Sequence, residues 1–403
     1  MTRAAEPSAE GRTPSSARRA GFAGTLALAM AVSTFAQYAL GALGPLVIRD
    51  LSLSLARFGA LSTALFVVGG VCSAPAGRVV DWLGGRRVLV ATFAVAAAGF
   101  AGMGAAPGYG WLLAAVGLSG VALAASNPVT NKLIAAHAAP GRQGVVTGFK
   151  QSGVQFGAAL AGGLPAAASM LGWRGALALA IVLAAAGLLG TALFVPPDAP
   201  GDDAEGVTGG PVGATVWWLT GYAFLMGIGV SAVSTYLPQY AVQRVGFATT
   251  VAGLAAGLVG AVGVAARIAW GYTLDRIGHV AGSLTILAGC SVVAQALILA
   301  AEVGGGWLLW AGAVGFGATA VAWNAVGMLA VVREGRQDAG RASGIVLVGF
   351  YGGFVVSPVA FGTVVDVTRS YALAWGACAV AFGLAAVAAG VWWRLERGAR
   401  RRR

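Results

Sequence analysis

The sequence predicts an all-α integral membrane fold: twelve transmembrane helices in two pseudo-symmetric six-helix bundles. Three observations carry this. The 403-residue chain is 58% hydrophobic and only 10% charged, with a mean hydropathy of +0.80. A soluble domain carries roughly 25% charged residues, so a chain this apolar cannot cover a water-facing surface. The apolar residues fall into twelve runs, each near the ~20 residues that cross a bilayer as a helix. Finally, Gly77, Asp81 and Gly84 mark a polar loop that returns with the same spacing as Gly271, Asp275 and Gly278, 194 residues later (271 − 77). One such loop per half of a membrane chain points to internal duplication.

The elements follow in order. Residues 1–20, with Arg3, Arg12, Arg18 and Arg19, read as a disordered polar tail. A full-length span follows with no cleavage signature, so the tail reads as retained and cytoplasmic, not as a signal peptide. Spans at roughly 22–48, 58–77, 88–106, 110–136, 143–169 and 174–196 make an N-terminal bundle over 21–196. Residues 197–212, with Pro197, Asp198, Asp202, Asp203 and Glu205, form an acidic linker. Spans at roughly 214–241, 248–270, 281–302, 306–332, 341–366 and 371–393 make a C-terminal bundle over 213–395, and residues 396–403 a basic tail. The 64 glycines follow no collagen period. Small residues suit close helix packing where lipid supplies no hydrophobic drive. Cys72, Cys290 and Cys378 fall inside apolar runs and read as packing residues, not as a disulfide frame or metal site.

The net charge of +12 is placed for membrane topology, not for nucleic acid. Of 26 Lys and Arg, only Arg49, Arg57, Arg174, Arg244 and Arg369 fall in the loops between odd and following even spans; Lys150 lies within a span. The other twenty lie in the tails, in the alternate loops or in the span ends that lead into those loops, which predicts both termini in the cytoplasm. The C-terminal arginines from Arg394 onward suit anionic lipid.

The repeat extends further. Asn127 in the fourth span has a counterpart in Asn324 of the tenth, Gly141-Arg142 in Gly340-Arg341, and Trp173 in Trp375. With the paired Gly-x-x-x-Asp-x-x-Gly loops after the second and eighth spans, the chain resembles the major facilitator superfamily over residues 21–395. The resemblance implies a monomeric secondary transporter of a bacterial cytoplasmic membrane, working by rocker-switch alternating access without cofactor or metal. It implies that Asp81 docks on the start of the eleventh span and Asp275 on the fifth, holding the cytoplasmic side shut. Gly77 and Gly271 would let helices pack closely there. Arg86, Arg87 and Arg276 would tie the loops to carboxylates and lipid phosphates, or serve only as topology signals.

Polar groups inside a membrane are costly and need a reason. In the fifth span Thr147, Lys150, Gln151 and Gln155 share one helix face, which should line a cavity; Lys150 could instead snorkel toward the cytoplasm. Asn127 could bind substrate or repair the backbone freed by Pro128. Gln37 and Tyr38 in the first span, Tyr236 in the seventh, Asn324 in the tenth and Tyr351 in the eleventh are further candidates, with interhelical bonding the alternative. Arg267 stands one turn before the second loop motif and reads as a partner of Asp275 or as an anion site. None of the 14 acidic residues lies midway along a span, and no Gly-Pro pair occurs in the fifth; both count against proton-coupled drug or metabolite efflux. A cavity with a fixed cation and no fixed anion favours a small organic anion, moved by proton symport or anion exchange. The fourth- and fifth-span stretches also resemble bacterial organic-anion and cyanate permeases. No His-Glu-x-x-His, Gly-x-Ser-x-Gly or phosphate-binding loop occurs, so the chain does not read as an enzyme. A duplicated single chain argues against a channel, while a transporter-like receptor without flux stays open.

Overall fold

The computed structural model describes residues 16–139, 141–198, 213–277, 279–334 and 339–401. Fourteen helices account for nearly all of them. The first half holds α1 (Ser16–Asp50), α2 (Leu55–Leu83), α3 (Gly85–Gly104), α4 (Tyr109–His137), α5 (Gln143–Ala161), α6 (Leu164–Ala178) and α7 (Ala180–Phe194). The second holds α8 (Ala214–Gln243), α9 (Thr249–Ile277), α10 (Val280–Gly304), α11 (Gly306–Ala318), α12 (Trp323–Glu334), α13 (Ala339–Thr368) and α14 (Tyr371–Arg401). Ten segments are long and apolar enough to cross a membrane unaided.

Three departures from the expected spans have local causes. The fifth span is broken: α5 and α6 meet at Gly162 and Gly163 with a 74° angle between their axes. A second break lies inside α6 at Gly172, whose φ is 67°; a side chain there would strain the backbone. Leu164–Leu171 thus completes the fifth crossing, and Trp173 onward, with the short apolar α7, makes the sixth. The tenth span is interrupted at 319–322, between α11 and α12. The expected tails are partly helical: α1 begins at Ser16 and α14 runs to Arg401. Residues 199–212 of the linker lie outside the described residues.

The two halves pack alike. α2 lies on α4 as α9 lies on α11, α3 on α7 as α10 on α14, and α1 on α5 as α8 on α13. Between the halves α2 meets α13, α5 meets α9, and α1 meets α8. α1 starts and α14 ends at one face of the molecule, here called the terminal face.

At the far face the halves are sealed. Gln37 of α1 donates to Ser234 Oγ (3.2 Å) and Thr235 Oγ1 (3.0 Å) of α8, and accepts from Ser62 Oγ of α2 (2.6 Å). Thr63 donates to the Val355 carbonyl at 2.8 Å. Asp366, at the far end of α13, accepts the N–H groups of Leu55 (3.0 Å) and Ala56 (2.9 Å), the first turn of α2. Helix N-termini carry unsatisfied N–H groups and a partial positive charge, so a carboxylate is the fitting cap. Glycines make this approach possible: a Cβ on Gly59 would strike the Pro358 carbonyl, and one on Gly362 the backbone of Leu55 and Ala56.

The terminal half of the seam is open. A Cβ on Gly77, Gly148, Gly271 or Gly344 would meet no atom within 4 Å. The close packing expected of Gly77 and Gly271 is therefore absent in this conformation, because the helix each would meet stands across the opening.

Candidate functional site

Below the sealed layer, polar side chains from both halves converge at the centre. α5 brings Gln151 and Gln155 to one face by their i, i+4 spacing. Gly153 and Gly157 on its α1-facing side let it settle against Ala27 and Ala31. Gln151 Nε2 donates to Asn127 Oδ1 of α4 at 3.3 Å, and Asn127 stands beside the Tyr351 hydroxyl of α13. Tyr38 of α1 stands beside Gln155. Arg267 of α9 crosses between the halves and donates from Nη1 to the Gln151 carbonyl at 2.9 Å, with Tyr38 within electrostatic reach. Its Nε is buried and has no hydrogen-bond partner. Among the described residues no carboxylate stands within ion-pair distance of Arg267.

Six of the ten expected binding residues thus meet: Asn127, Gln151, Gln155, Tyr38, Tyr351 and Arg267. Above them, Tyr38, Gln155, Ser234 and Val321 border a remnant cavity of about 30 Å³, room for a water but not for an organic molecule.

The other four depart from expectation. Lys150 is fully buried (0% exposed) and faces away from the cavity, with Nζ on Thr130 Oγ1 (2.8 Å) and Asn131 Oδ1 (2.5 Å) of α4. It neither snorkels nor lines the opening, because α4 offers two acceptors on the nearer side. Tyr236 lies in the far seam, not the site. Its hydroxyl sits 2.8 Å from the Leu55 carbonyl and 2.6 Å from that of Pro358, and its ring stacks on Phe361 at 4.6 Å. Gln37 is likewise consumed in the seam. Asn324 is half-buried in the first turn of α12, next to Trp323.

The repeated loop is arranged differently from expectation. Asp81 is largely exposed (63%) and stands 3.6 Å from Lys132 Nζ of α4; it does not reach α13 across the open terminal face. Lys132 also donates to the Val80 and Asp81 carbonyls. Arg276 folds back on Tyr272 of its own helix, 3.0 Å from the hydroxyl. Asp275 lies in α9, but its side chain and the whole of Gly278 fall outside the described residues. Gly84 keeps a φ of 90° between α2 and α3, a conformation that favours glycine.

Sequence reasoning missed Asp198, which caps α3 by accepting the N–H groups of Arg86 (2.8 Å) and Arg87 (3.3 Å). Arg86 meanwhile reaches the Ala192 carbonyl at 3.4 Å. Asp366 was missed too, although a lone acid ending an otherwise acid-free span is a readable signal.

The arrangement can hold a small polar molecule between the two halves, reachable from the terminal face and shut off from the far face. The fold is similar to several solved structures. A crystal structure of a bacterial homolog of the human lysosomal transporter Spinster, inward-facing and occupied, is 15% identical over 95% of this chain and 98% of that one, with a TM-score of 0.71. A mutant of the nucleoside transporter NupG is 16% identical over 91% and 99%, TM-score 0.73. A D-xylose–proton symporter is 16% identical over 92% and 97%, TM-score 0.76. At this identity the likeness concerns the fold. No curated protein sequence gives a significant match. Residues 26–337 match the sequence profile of the Major Facilitator Superfamily. Two duplicated bundles, a site at their junction and this match over most of the chain agree: the chain belongs to the major facilitator superfamily.

Proposed function

We propose that this superfamily transporter carries a small organic anion, a carboxylate, anchored on Arg267. The observation that carries the reading is the Arg267 guanidinium: it stands at the junction of the halves, bonded to one backbone carbonyl, with a buried Nε that lacks a partner. A buried cation without a counter-ion is costly, and a carboxylate completes it by a charge-assisted, often bidentate, pair. Gln151, Gln155, Asn127, Tyr38 and Tyr351 would orient the rest of the molecule. Binding to both halves across the junction would favour closure of the terminal face. The basic tails and loops favour the cytoplasm for that face, and on this reading the conformation is inward-open.

Coupling is assigned to Lys150 for proton symport; anion exchange is the alternative. Its ammonium is held by two neutral acceptors, so a proton can leave without stranding a carboxylate. A second reading has one specific support. Five of the six site residues are neutral amides or phenols, which suit hydroxylated substrates, and the structural relatives include a D-xylose symporter and a nucleoside transporter.

Uptake into proteoliposomes separates the two. The panel is acetate, malonate, benzoate, D-xylose, uridine and a cationic dye, tested with wild type and Arg267→Gln. Saturable carboxylate uptake that falls at least roughly tenfold in Arg267→Gln, the factor for one lost charge-assisted bond, supports the anion. Uptake of xylose or uridine, indifferent to Arg267, moves the substrate to the neutral class.

A further inference from the structure

A second cavity, of about 650 Å³, lies at the far face directly over the seal. Ile48, Ser54, Gln243, Arg244, Asp366, Arg369 and Tyr371 are among its lining residues. Its size falls within the range of small-molecule pockets.

The acceptors in its wall are already engaged. Asp366 uses both carboxylate oxygens on the α2 N–H groups. Gln243 Oε1 accepts from the Tyr371 hydroxyl at 2.7 Å, and the Arg369 carbonyl from Arg244 Nη2 at 2.8 Å. The donors are not. No described residue supplies an acceptor to the Arg369 guanidinium or the Gln243 amide nitrogen, and both side chains are exposed. The Ser54 hydroxyl serves as acceptor to Arg57 N–H, which leaves its proton free. Arg244 pairs with Glu302 at 3.6 Å and lies 5.8 Å from the centre of the Tyr371 ring. With Asp366 committed to the α2 N–H groups and Arg244 paired with Glu302, the Arg369 guanidinium and the free Gln243 and Ser54 donors leave the cup suited to an anion.

We propose that this vestibule is a capture site for a small carboxylate, and that the captured anion unlocks the far face by competing with Asp366 for the Leu55 and Ala56 N–H groups. Asp366 shows in place what those groups accept. Among the described residues the only direct hydrogen bonds from α13 to the first turn of α2 run through this carboxylate, with the Tyr236 hydroxyl of α8 lying between the Leu55 and Pro358 carbonyls beside it, so drawing Asp366 toward Arg369 removes the direct part of the latch. That the carboxylate is also the transported molecule rests on the reading of Arg267; capture itself does not.

The test places a reporter behind the seal. Ala42 borders the remnant cavity; Ala42→Cys is introduced after Cys72, Cys290 and Cys378 are replaced by serine or alanine. In right-side-out vesicles a membrane-impermeant maleimide labels it only when the far face opens. Malonate, acetate or benzoate outside should raise the labelling rate roughly tenfold. Arg369→Gln should abolish that rise, and Asp366→Asn should give fast labelling without any carboxylate. Arg267→Gln should leave the rise in place. A rise lost in Arg267→Gln but kept in Arg369→Gln overturns the vestibule and upholds the central anion site. A rise lost only in Arg369→Gln, with carboxylate uptake absent, upholds the vestibule and removes the central reading. No rise with any of the three anions overturns the vestibule. Arg369 is exposed, so its variant tests the proposal even if Asp366→Asn does not fold.

Discussion

Lys150 shows how a single residue can be legible in kind and not in direction. Its presence in an apolar run demanded an explanation, and the helical stripe placed it beside Gln151 and Gln155. Which side of the stripe it would favour depends on Thr130 and Asn131 of another helix, and no spacing within α5 encodes that. The energetics leave both protonation states within reach. A lysine at mid-membrane costs about 2.5–3.5 kcal/mol on insertion scales, and two hydrogen bonds to a charged group return a comparable amount, about 1.5–3 kcal/mol each. Lys150→Met should therefore abolish uptake driven by an imposed pH gradient while leaving carrier-mediated exchange of internal for external substrate. Counterflow measured beside gradient-driven uptake checks this; equal loss of both would make Lys150 a structural prop for α4. Asp366 and Asp198 teach the complementary lesson. Each caps a helix remote in sequence, Asp366 by 311 positions at Leu55, and a cap at that range is invisible to local pattern. The isolation of Asp366 was visible and Asp198 was one acid among several in the linker; the partner of neither was legible.

Among elements, span positions were readable because bilayer thickness fixes helix length, and the internal breaks were not. Gly162, Gly163 and Gly172 sit among many other glycines in a chain where glycine is common packing material, so composition does not single out the three that interrupt the helices. The interruption of α11 and α12 contains no proline at all. Here Thr319 bonds the Gly315 carbonyl at 2.7 Å and accepts from Ser291 at 3.1 Å, and a tertiary contact accompanies the break. The pairing of α2 with α13 carries its own prediction. Gly362 lies so close to the first turn of α2 that a side chain must push the two apart. Overpacking costs about 1–3 kcal/mol, so Gly362→Val should shift the far face toward its open state by roughly 10- to 100-fold. Labelling of Ala42→Cys in that background should be fast in the absence of any anion, and transport slow. Labelling no faster than in the parent protein would show that α13 absorbs the strain elsewhere.

For the whole molecule the two faces are opposite in chemistry, and this asymmetry makes the closed far seam a moving part. At the far face the halves are joined by Gln37, Thr63, Tyr236 and Asp366; at the terminal face Asp81 pairs within its own half, and Gly77 and Gly271 look into space. A rocking exchange must break the first set and bring the second together, with the site between them switching access. The far contacts therefore cannot be permanent if the protein transports. Phe66 of α2 and Phe354 of α13, with ring centroids 4.3 Å apart, test this. Phe66→Cys with Phe354→Cys, in a background without the native cysteines, should accept a short thiol-specific bridge. The bridged protein should keep its fold and its binding at the terminal face. It should lose transport in proportion to bridging, and a cleavable bridge should restore activity on reduction. Full transport with the bridge intact would mean that α2 and α13 stay together through the cycle and that access changes by another motion, for which the breaks at Gly162 and Thr319 are the places to look.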